Sequence, residues 1–535
     1  MLGKLSQTRL SSWPETQEDQ EEASPLSGEI ATMETTTTMA TRTGGLRSQP
    51  RALRATPRQA RAQPSGRRGS RGGGLASQGE AGRRGGEGPA ARKLLATAEG
   101  IAAQTSTSTS DAQGTEATST TPKKICVVGG GFGGLYAALR LSTLVWPGKS
   151  KPEITLIDQR DRFVFKPLLY ELLTDELELD EVAPRFSDLL SRSGVSFVQG
   201  KVTGVSAKDE ETGVGAVSLE GDEGKSVEYD YLVVAFGSGT RLDMVEGAEE
   251  HATPFCNLED AVDLKSYLRE ETKKGATPSL AVVGGGVNGV ELAASLADKF
   301  GDKVAVQVIT PGSDILESYP KDQRQNAWNT LSQGKVDVRL GTKVTRVALE
   351  EEAGKFALTV ENDQAGGDTL RVDKVLWTAG QKPATVPVRG GQTIQGEGFF
   401  SRNDEGNVVT DNTLRMVNSS YVFALGDIAV QEGDKTSKFA FTAQVAFQQS
   451  DYVAWNVWST INGQPLLPFQ YQHLGDMMSL GQNQATVALP IGGLSLTGLP
   501  ASLLRKSAYV YRMPTLESQA RLGLNWGFKL LNSFL

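Results

Sequence analysis

Lys124-Ile-Cys-Val-Val-Gly129-Gly-Gly131-Phe-Gly133-Gly134 decides how this chain folds. The chain writes the pattern again, 155 residues further on, as Leu280-Ala-Val-Val-Gly284-Gly-Gly286-Val-Asn-Gly289-Val-Glu291. Each copy is a short β-branched run, then G-x-G-x-x-G, then a helical pattern, and that context turns the glycines into evidence. The first glycine permits the turn, the second lets backbone approach a pyrophosphate, and the third lets helix pack on strand. The helix N-terminus then faces the phosphates. Two such units imply two dinucleotides in one chain, the arrangement that electron transfer between them needs.

Working outward, Ile154-Thr-Leu-Ile-Asp158 reads as the second strand of the first unit, with a carboxylate placed 24 residues past Gly134 to grip an adenosine ribose. Val195–Val198 and the segments up to Val227 read as an antiparallel insertion. Tyr231-Leu-Val-Val-Ala-Phe-Gly237 returns as a buried strand ending in a turn. The second unit repeats the plan through Val304–Ile309 and closes at Val375-Leu-Trp-Thr-Ala-Gly380. A last strand, Tyr421–Leu425, ends on Gly426-Asp427. The fold class expected is α/β, with two Rossmann-like dinucleotide-binding domains and a C-terminal membrane-associating segment. The first domain spans 123–277 and 388–464, interrupted by a second at 278–387, and 465–535 holds a hairpin and amphipathic helices.

Composition excludes several classes. In the 535 residues, with net charge −8, residues 41–79 hold nine arginines and no acid. Ser, Thr, Gly and Ala fill most of the rest of 1–122, which reads as a disordered targeting segment, more plastid than mitochondrial. No aromatics interleave those arginines, so nucleic acid is not expected as a partner. Two cysteines far apart, Cys126 and Cys256, argue against dithiol chemistry. Cys126 sits within the first strand as a small apolar residue. Two histidines, His251 and His473, without clustered ligands argue against a metal site. The charge-free run Met477–Leu504 is broken by Gly, Pro, Asn and Gln, and reads as a hairpin and turns instead of a spanning helix.

These motifs resemble the two-dinucleotide-binding flavoproteins, and among them the type II (alternative) NAD(P)H:quinone oxidoreductases, most closely their plastid C-type members. The resemblance runs from Lys123 to the C-terminus. It is carried by the glycine loops, Phe165-Lys166-Pro167-Leu168-Leu169, Thr378-Ala-Gly380, Leu425-Gly426-Asp427 and Thr442-Ala-Gln444-Val-Ala-Phe-Gln448-Gln449. It implies FAD on Gly129, Gly131, Gly133, Gly134, Asp158, Lys166, Gly237, Gly426 and Asp427. NAD(P)H is implied on Gly284, Gly286, Gly289, Glu291, Thr310 and Gly380. Lys166 would place positive charge by the flavin ring, or else is one more solvated lysine. Glu291, read as lying in the first helical turn, would orient the nicotinamide or relay protons; the alternative is a carboxylate favoured by the helix dipole. Gln444 and Gln448, on one helix face, would offer neutral amides to a quinone carbonyl; the alternative is an ordinary polar face.

Where an acid would favour NADH, this chain has Thr310, so tolerance of NADPH is expected; Asp314 nearby argues against strict NADP selection. Near the C-terminus Leu503, Leu504, Tyr509 and Val510 lie beside Arg505 and Lys506. Leu524, Phe528, Leu531 and Leu535 then recur at helical spacing, with Trp526 and Lys529 nearby. That pattern suits a helix lying in a membrane surface, or one packed on the protein's own core or across a homodimer. The resemblance further implies a lipophilic naphthoquinone or plastoquinone acceptor, including demethylphylloquinone. It implies a chloroplast location, thylakoid or plastoglobule, with the mitochondrion as alternative, and no proton pumping. Disulfide and sulfide:quinone reductases need cysteines absent here. A soluble ferredoxin-type reductase or a non-catalytic NAD(P)H-sensing flavoprotein remain the other readings.

Overall fold

Runs rich in β-branched and aliphatic residues form strands covered by helices on one face and by a three-stranded antiparallel sheet on the other, drawn from 202–229 over the first sheet and from 342–372 over the second. In chain order these are β1 (Lys124–Val128), β2 (Glu153–Asp158), β3 (Val195–Gln199), β4 (Tyr231–Val234), β5 (Ser279–Val283), β6 (Ala305–Ile309), β7 (Asp337–Arg339), β8 (Lys374–Trp377) and β9 (Val422–Ala424). They make two parallel sheets of one plan, ordered β9-β4-β1-β2-β3 and β7-β6-β5-β8, the second flanked by Thr253–Pro254. β1 and β5 occupy the same place in each sheet, and Val127, Val128, Leu280 and Val282 are fully buried. The computed structural model describes residues 121–147, 150–221, 225–362, 366–385, 399–433, 442–490 and 493–534. The expected targeting segment therefore lies outside the described residues but for its last two positions.

The helices that build the site are α1 (Phe132–Thr143), α2 (Leu169–Leu173), α3 (Val287–Phe300), α4 (Ala443–Ile461), α5 (Gly498–Arg512) and α6 (Leu516–Phe534). α1 and α3 start in the two glycine turns, and α4 packs along α1. Phe132, Phe163, Phe165 and Phe447 pack with ring centroids 5.0–6.2 Å apart. Phe163 and Phe165 are buried, each contributing roughly 1.5–3 kcal/mol by removal from water.

Three expectations are corrected. Val195–Gln199 is a parallel edge strand on β2, and the antiparallel insertion is confined to Val202–Ser206, Gly215–Leu219 and Ser226–Tyr229. A short apolar run carries no signal of strand direction; its partner supplies that. Thr253–Pro254, ahead of the second unit, pairs with β8 of the second sheet. Glu291 is the fifth residue of α3, beyond its first turn. The hairpin over 476–488 is as expected, and no described helix is long and apolar enough to cross a membrane.

Candidate active site

The two glycine turns are built alike. Gly129 (φ +102°) and Gly284 (φ +128°) adopt a backbone that side chains resist. A Cβ on Gly134 would stand 1.8 Å from the Gly129 carbonyl oxygen, and one on Gly289 2.0 Å from that of Gly284, so helix and strand meet only through glycine. Gly131 and Gly286 differ: a Cβ there meets nothing within 4 Å, and their backbone is ordinary. The glycine at these two places keeps space open for a ligand, which is the fit a pyrophosphate requires.

A cavity of about 920 Å³ opens at the first turn. Gly129, Gly131, Gly133, Asp158, Lys166, Gly237, Gly426, Asp427, Glu291 and Gln444 all line it. So do Val287 and Asn288, the first residues of α3, which brings the start of the second unit's helix to the same space. Gly134, Gly284, Gly286, Gly289, Thr310, Gly380 and Gln448 are not part of that lining.

Asp158 accepts from the Gly130 N–H at 2.6 Å and the Arg160 N–H at 2.8 Å, while burial raises its pKa. Asp427 follows β9 in a 3-10 turn held by Gln449, whose Oε1 accepts from Gly426 N–H at 2.6 Å. The Ser238 hydroxyl donates to Asp427 at 2.6 Å; burial raises this carboxyl's pKa, with Ser238 and Lys166 opposing. Lys166 therefore acts as a charge on the cavity wall, itself exposed.

Glu291 is 7% exposed and accepts from the Ser479 N–H at 2.7 Å. Burial pushes its pKa up to about 7, with Tyr170, Glu171 and Arg505 beside it. The folded chain thus keeps this proton to about pH 7, whereas the unfolded chain releases it near 4.5. Stability supplied by proton retention is full below that lower value and is lost as pH rises through about 7. Glu291→Gln does not titrate. In urea unfolding it is expected to gain on the wild type by on the order of 2 kcal/mol between about pH 5 and about pH 8. A pH-independent difference would refute the assignment.

The two glutamines expected to meet a quinone are both hydrogen-bonded to the segment 471–475. Gln448 donates to the Gln472 carbonyl oxygen at 2.8 Å and accepts from the Gln472 N–H at 2.9 Å. Both ends of its amide thus hold the chain around Gln472, and Gln448 is not part of the cavity lining. Gln444 lines the cavity but likewise bonds Tyr471, Leu474 and Gly475.

Sequence reasoning missed the charges that join the C-terminal helices to the site. Arg505, expected as a cationic flank, is fully buried and pairs with Glu171 of α2, itself 2% exposed. Its guanidinium stacks on the Tyr509 ring, 5.1 Å from the centroid. Lys506 pairs with Glu176 and lies over Trp526, and Lys529 donates to the Glu176 carbonyl oxygen. The only sequence signal for these pairs was an arginine and a lysine in an otherwise apolar stretch.

Fold and site together define a flavoprotein oxidoreductase that binds two dinucleotides, FAD and NAD(P)H, in one polypeptide. Residues 123–450 match the model of the pyridine nucleotide-disulphide oxidoreductase family. The chain is 40% identical to the alternative NAD(P)H-ubiquinone oxidoreductase C1, chloroplastic/mitochondrial, of Arabidopsis thaliana, covering 75% of this chain and 80% of that protein. It is 39% identical to the demethylphylloquinone reductase NdbB of a Synechocystis strain, over 77% and 97%. The chain belongs to this family, among its type II NAD(P)H:quinone oxidoreductases. In fold it is similar to NDH2 of Plasmodium falciparum solved with NADH (TM-score 0.62, 18% identity, 76% and 97% covered).

Proposed function

We propose that this chain passes two electrons from NADPH or NADH to a lipophilic quinone at an organelle membrane. The observation that carries the reading is the single cavity shared by Gly129–Gly131, Asp427 and the start of α3 with Glu291. Gly129, Gly131, Gly133 and Gly134 would hold the FAD pyrophosphate, Asp158 the adenosine ribose, and Gly237, Gly426 and Asp427 the far end. Gly284, Gly286 and Gly289 would hold the nicotinamide nucleotide, with Gly380 closing the turn opposite. Bound there, the two cofactors supply the hydride and electron chemistry. The chain's part is to place them, keep water out with Phe132, Phe165 and Phe447, and set charge with Lys166 and Glu291. The division into 123–277 with 388–464 and 278–387 is supported by β9 joining β1's sheet across the second unit; the boundary at 388 lies outside the described residues.

NADPH tolerance is supported by Thr310, 6% exposed and packed against Gly285, and by Asp314, whose carboxylate accepts from Arg324 at 2.6 Å and Trp328 at 2.7 Å. Neither offers a free carboxylate to repel a 2′-phosphate. The test is one cuvette: purified yellow protein should bleach with NADPH and recover with a naphthoquinone. Efficiency with NADH about tenfold or more above that with NADPH would refute the nucleotide reading. A bleached flavin that quinone fails to reoxidise would refute the acceptor and favour a sensor.

Membrane docking is supported by α6. Leu522 and Trp526 are buried on the protein and Asn525 bonds Glu181, while Leu524, Phe528 and Leu531 are 62%, 64% and 60% exposed on the other side. Trp526 and Lys529 thus turn inward instead of flanking a lipid-facing stripe; Leu535 lies outside the described residues. Replacing Leu524, Phe528 and Leu531 together by Glu should weaken liposome binding more than about a hundredfold, since each apolar group is worth roughly 1.5–3 kcal/mol. Ferricyanide turnover should persist. Unchanged sedimentation with liposomes, or a shift only in subunit number, would favour a homodimer contact. The chloroplastic/mitochondrial and cyanobacterial relatives support a plastid site, at thylakoid or plastoglobule, with demethylphylloquinone among the acceptors.

A further inference from the structure

Tyr471, Leu474, Gly475 and Asp476 form part of the cavity wall, and among them sits His473, one of two histidines in the chain. Gln444 fixes the hydrogens of this segment. Its Oε1 faces the Leu474 N–H at 2.9 Å and the Tyr471 hydroxyl at 2.8 Å, and its Nε2 faces the Gly475 carbonyl oxygen at 3.1 Å. An amide oxygen only accepts, so the one hydroxyl hydrogen of Tyr471 points at Gln444. His473 Nδ1 lies 3.2 Å from the same hydroxyl oxygen, and with that hydrogen committed, Nδ1 must be the donor. On its other side Nε2 lies 3.4 Å from the Asp476 carboxylate. The His473 side chain is 49% exposed, in reach of water, whereas Tyr471 faces the cavity.

We propose that His473 and Tyr471 form the intake path by which a solvent proton reaches the quinone, a role that rests on the quinone-reductase reading above. The balance requires such a path. NAD(P)H gives up a hydride, which is two electrons and one proton, while the quinone gains two electrons and two protons to become quinol. One proton per turnover therefore comes from water. The Tyr471 hydroxyl turns from Gln444 to the reduced quinone's oxygen, its O–H bond breaking as the quinol O–H forms; the Nδ1–H of His473 then passes to the Tyr471 oxygen, and the ring takes up a proton from solvent. The titratable groups around the ring are Tyr471 and Asp476 on its own segment. Tyr319 and Glu291 line the same cavity as Asp476. Gln444 and Gln448 are positioning residues for this path, clamping the segment at Leu474 and Gln472.

The test compares two acceptors in the FAD-loaded enzyme: a quinone, which takes protons, and ferricyanide, which takes an electron alone. His473→Gln and Tyr471→Phe are each expected to lower quinone turnover at about pH 8 by roughly tenfold or more, with a larger solvent deuterium isotope effect, while ferricyanide turnover and flavin bleaching by NADPH stay within about twofold. Variants that lower both acceptors together, or neither, overturn the path. A wild-type enzyme that reduces ferricyanide but no quinone overturns the parent reading instead, and the path with it. Independent of turnover, the ¹⁵N spectrum of histidine-labelled holoenzyme should show the neutral His473 ring carrying its hydrogen on Nδ1; an Nε2–H ring overturns the assignment.

Discussion

Gly131→Val is expected to yield a folded, colourless protein. The residue has ordinary backbone angles (φ −72°, ψ −165°), and nothing stands within 4 Å of where its Cβ would go, so the substitution strains no part of the chain. What the side chain would fill is the cavity wall at the helix N-terminus, where backbone N–H groups are open to phosphate oxygens. Losing two such charge-assisted bonds costs about 3–6 kcal/mol, so FAD affinity should fall by more than about a hundredfold. Circular dichroism should match wild-type apoprotein, while the flavin absorbance of the purified variant is lost. Gly134→Ala forms the contrast, because its Cβ would strike the Gly129 carbonyl oxygen; it should fail to accumulate as folded protein. Gly286→Val is the counterpart on the second unit: yellow, reducible by dithionite, but with a KM for NAD(P)H raised by about a hundredfold. A Gly131→Val enzyme that stays yellow and turns over would remove the first glycine turn from the site.

Arg505→Met should destabilise the protein by about 3–5 kcal/mol, the usual consequence of leaving one member of a buried ion pair uncompensated. Glu171 would remain in the interior with no cation, and Glu291 and Glu176 lie in the same buried region. The pair is not itself an efficient source of stability: Arg505 Nε and Nη1 and Glu171 Oε2 lack hydrogen-bond partners. Arg505→Met with Glu171→Leu should therefore regain most of the loss, since a packed apolar pair avoids both desolvation costs. The single variant's penalty should also shrink at low pH. A carboxylate left buried without its cation is the costly species, and acid removes its charge. Urea midpoints for single and double variants, at acid and alkaline pH, check this. A single variant as stable as the wild type at alkaline pH would show that Glu171 finds another partner or water.

The part of the site most legible in the sequence was the part made of backbone. Glycine spacing, the strand before it and the helix after it are local in the chain, so Gly129–Gly134 and Gly284–Gly289 could be read directly. Asp158 was legible because it sits at the end of the next strand. Asp427 needed the order of elements as well as its Gly-Asp turn. Side chains whose roles depend on distant partners were misread. Gln448 looked like an amide free to meet a ligand until Gln472 proved to occupy both its ends. Arg505 looked like a surface cation because nothing local reveals Glu171, 334 residues earlier. His473 was weighed in the sequence only as a metal ligand, since the role proposed for it depends on a hydroxyl hydrogen that Gln444 directs.

Composition and local pattern alone determined that this chain builds two nucleotide-binding units of one design, because strand, tight glycine turn and helix start are fixed by residues adjacent in the chain. Only the tertiary structure decided that both units open on one cavity, which way Val195–Gln199 runs, and which C-terminal charges are buried. Those outcomes are settled by contacts between segments hundreds of residues apart, where desolvation and pairing outweigh any local preference.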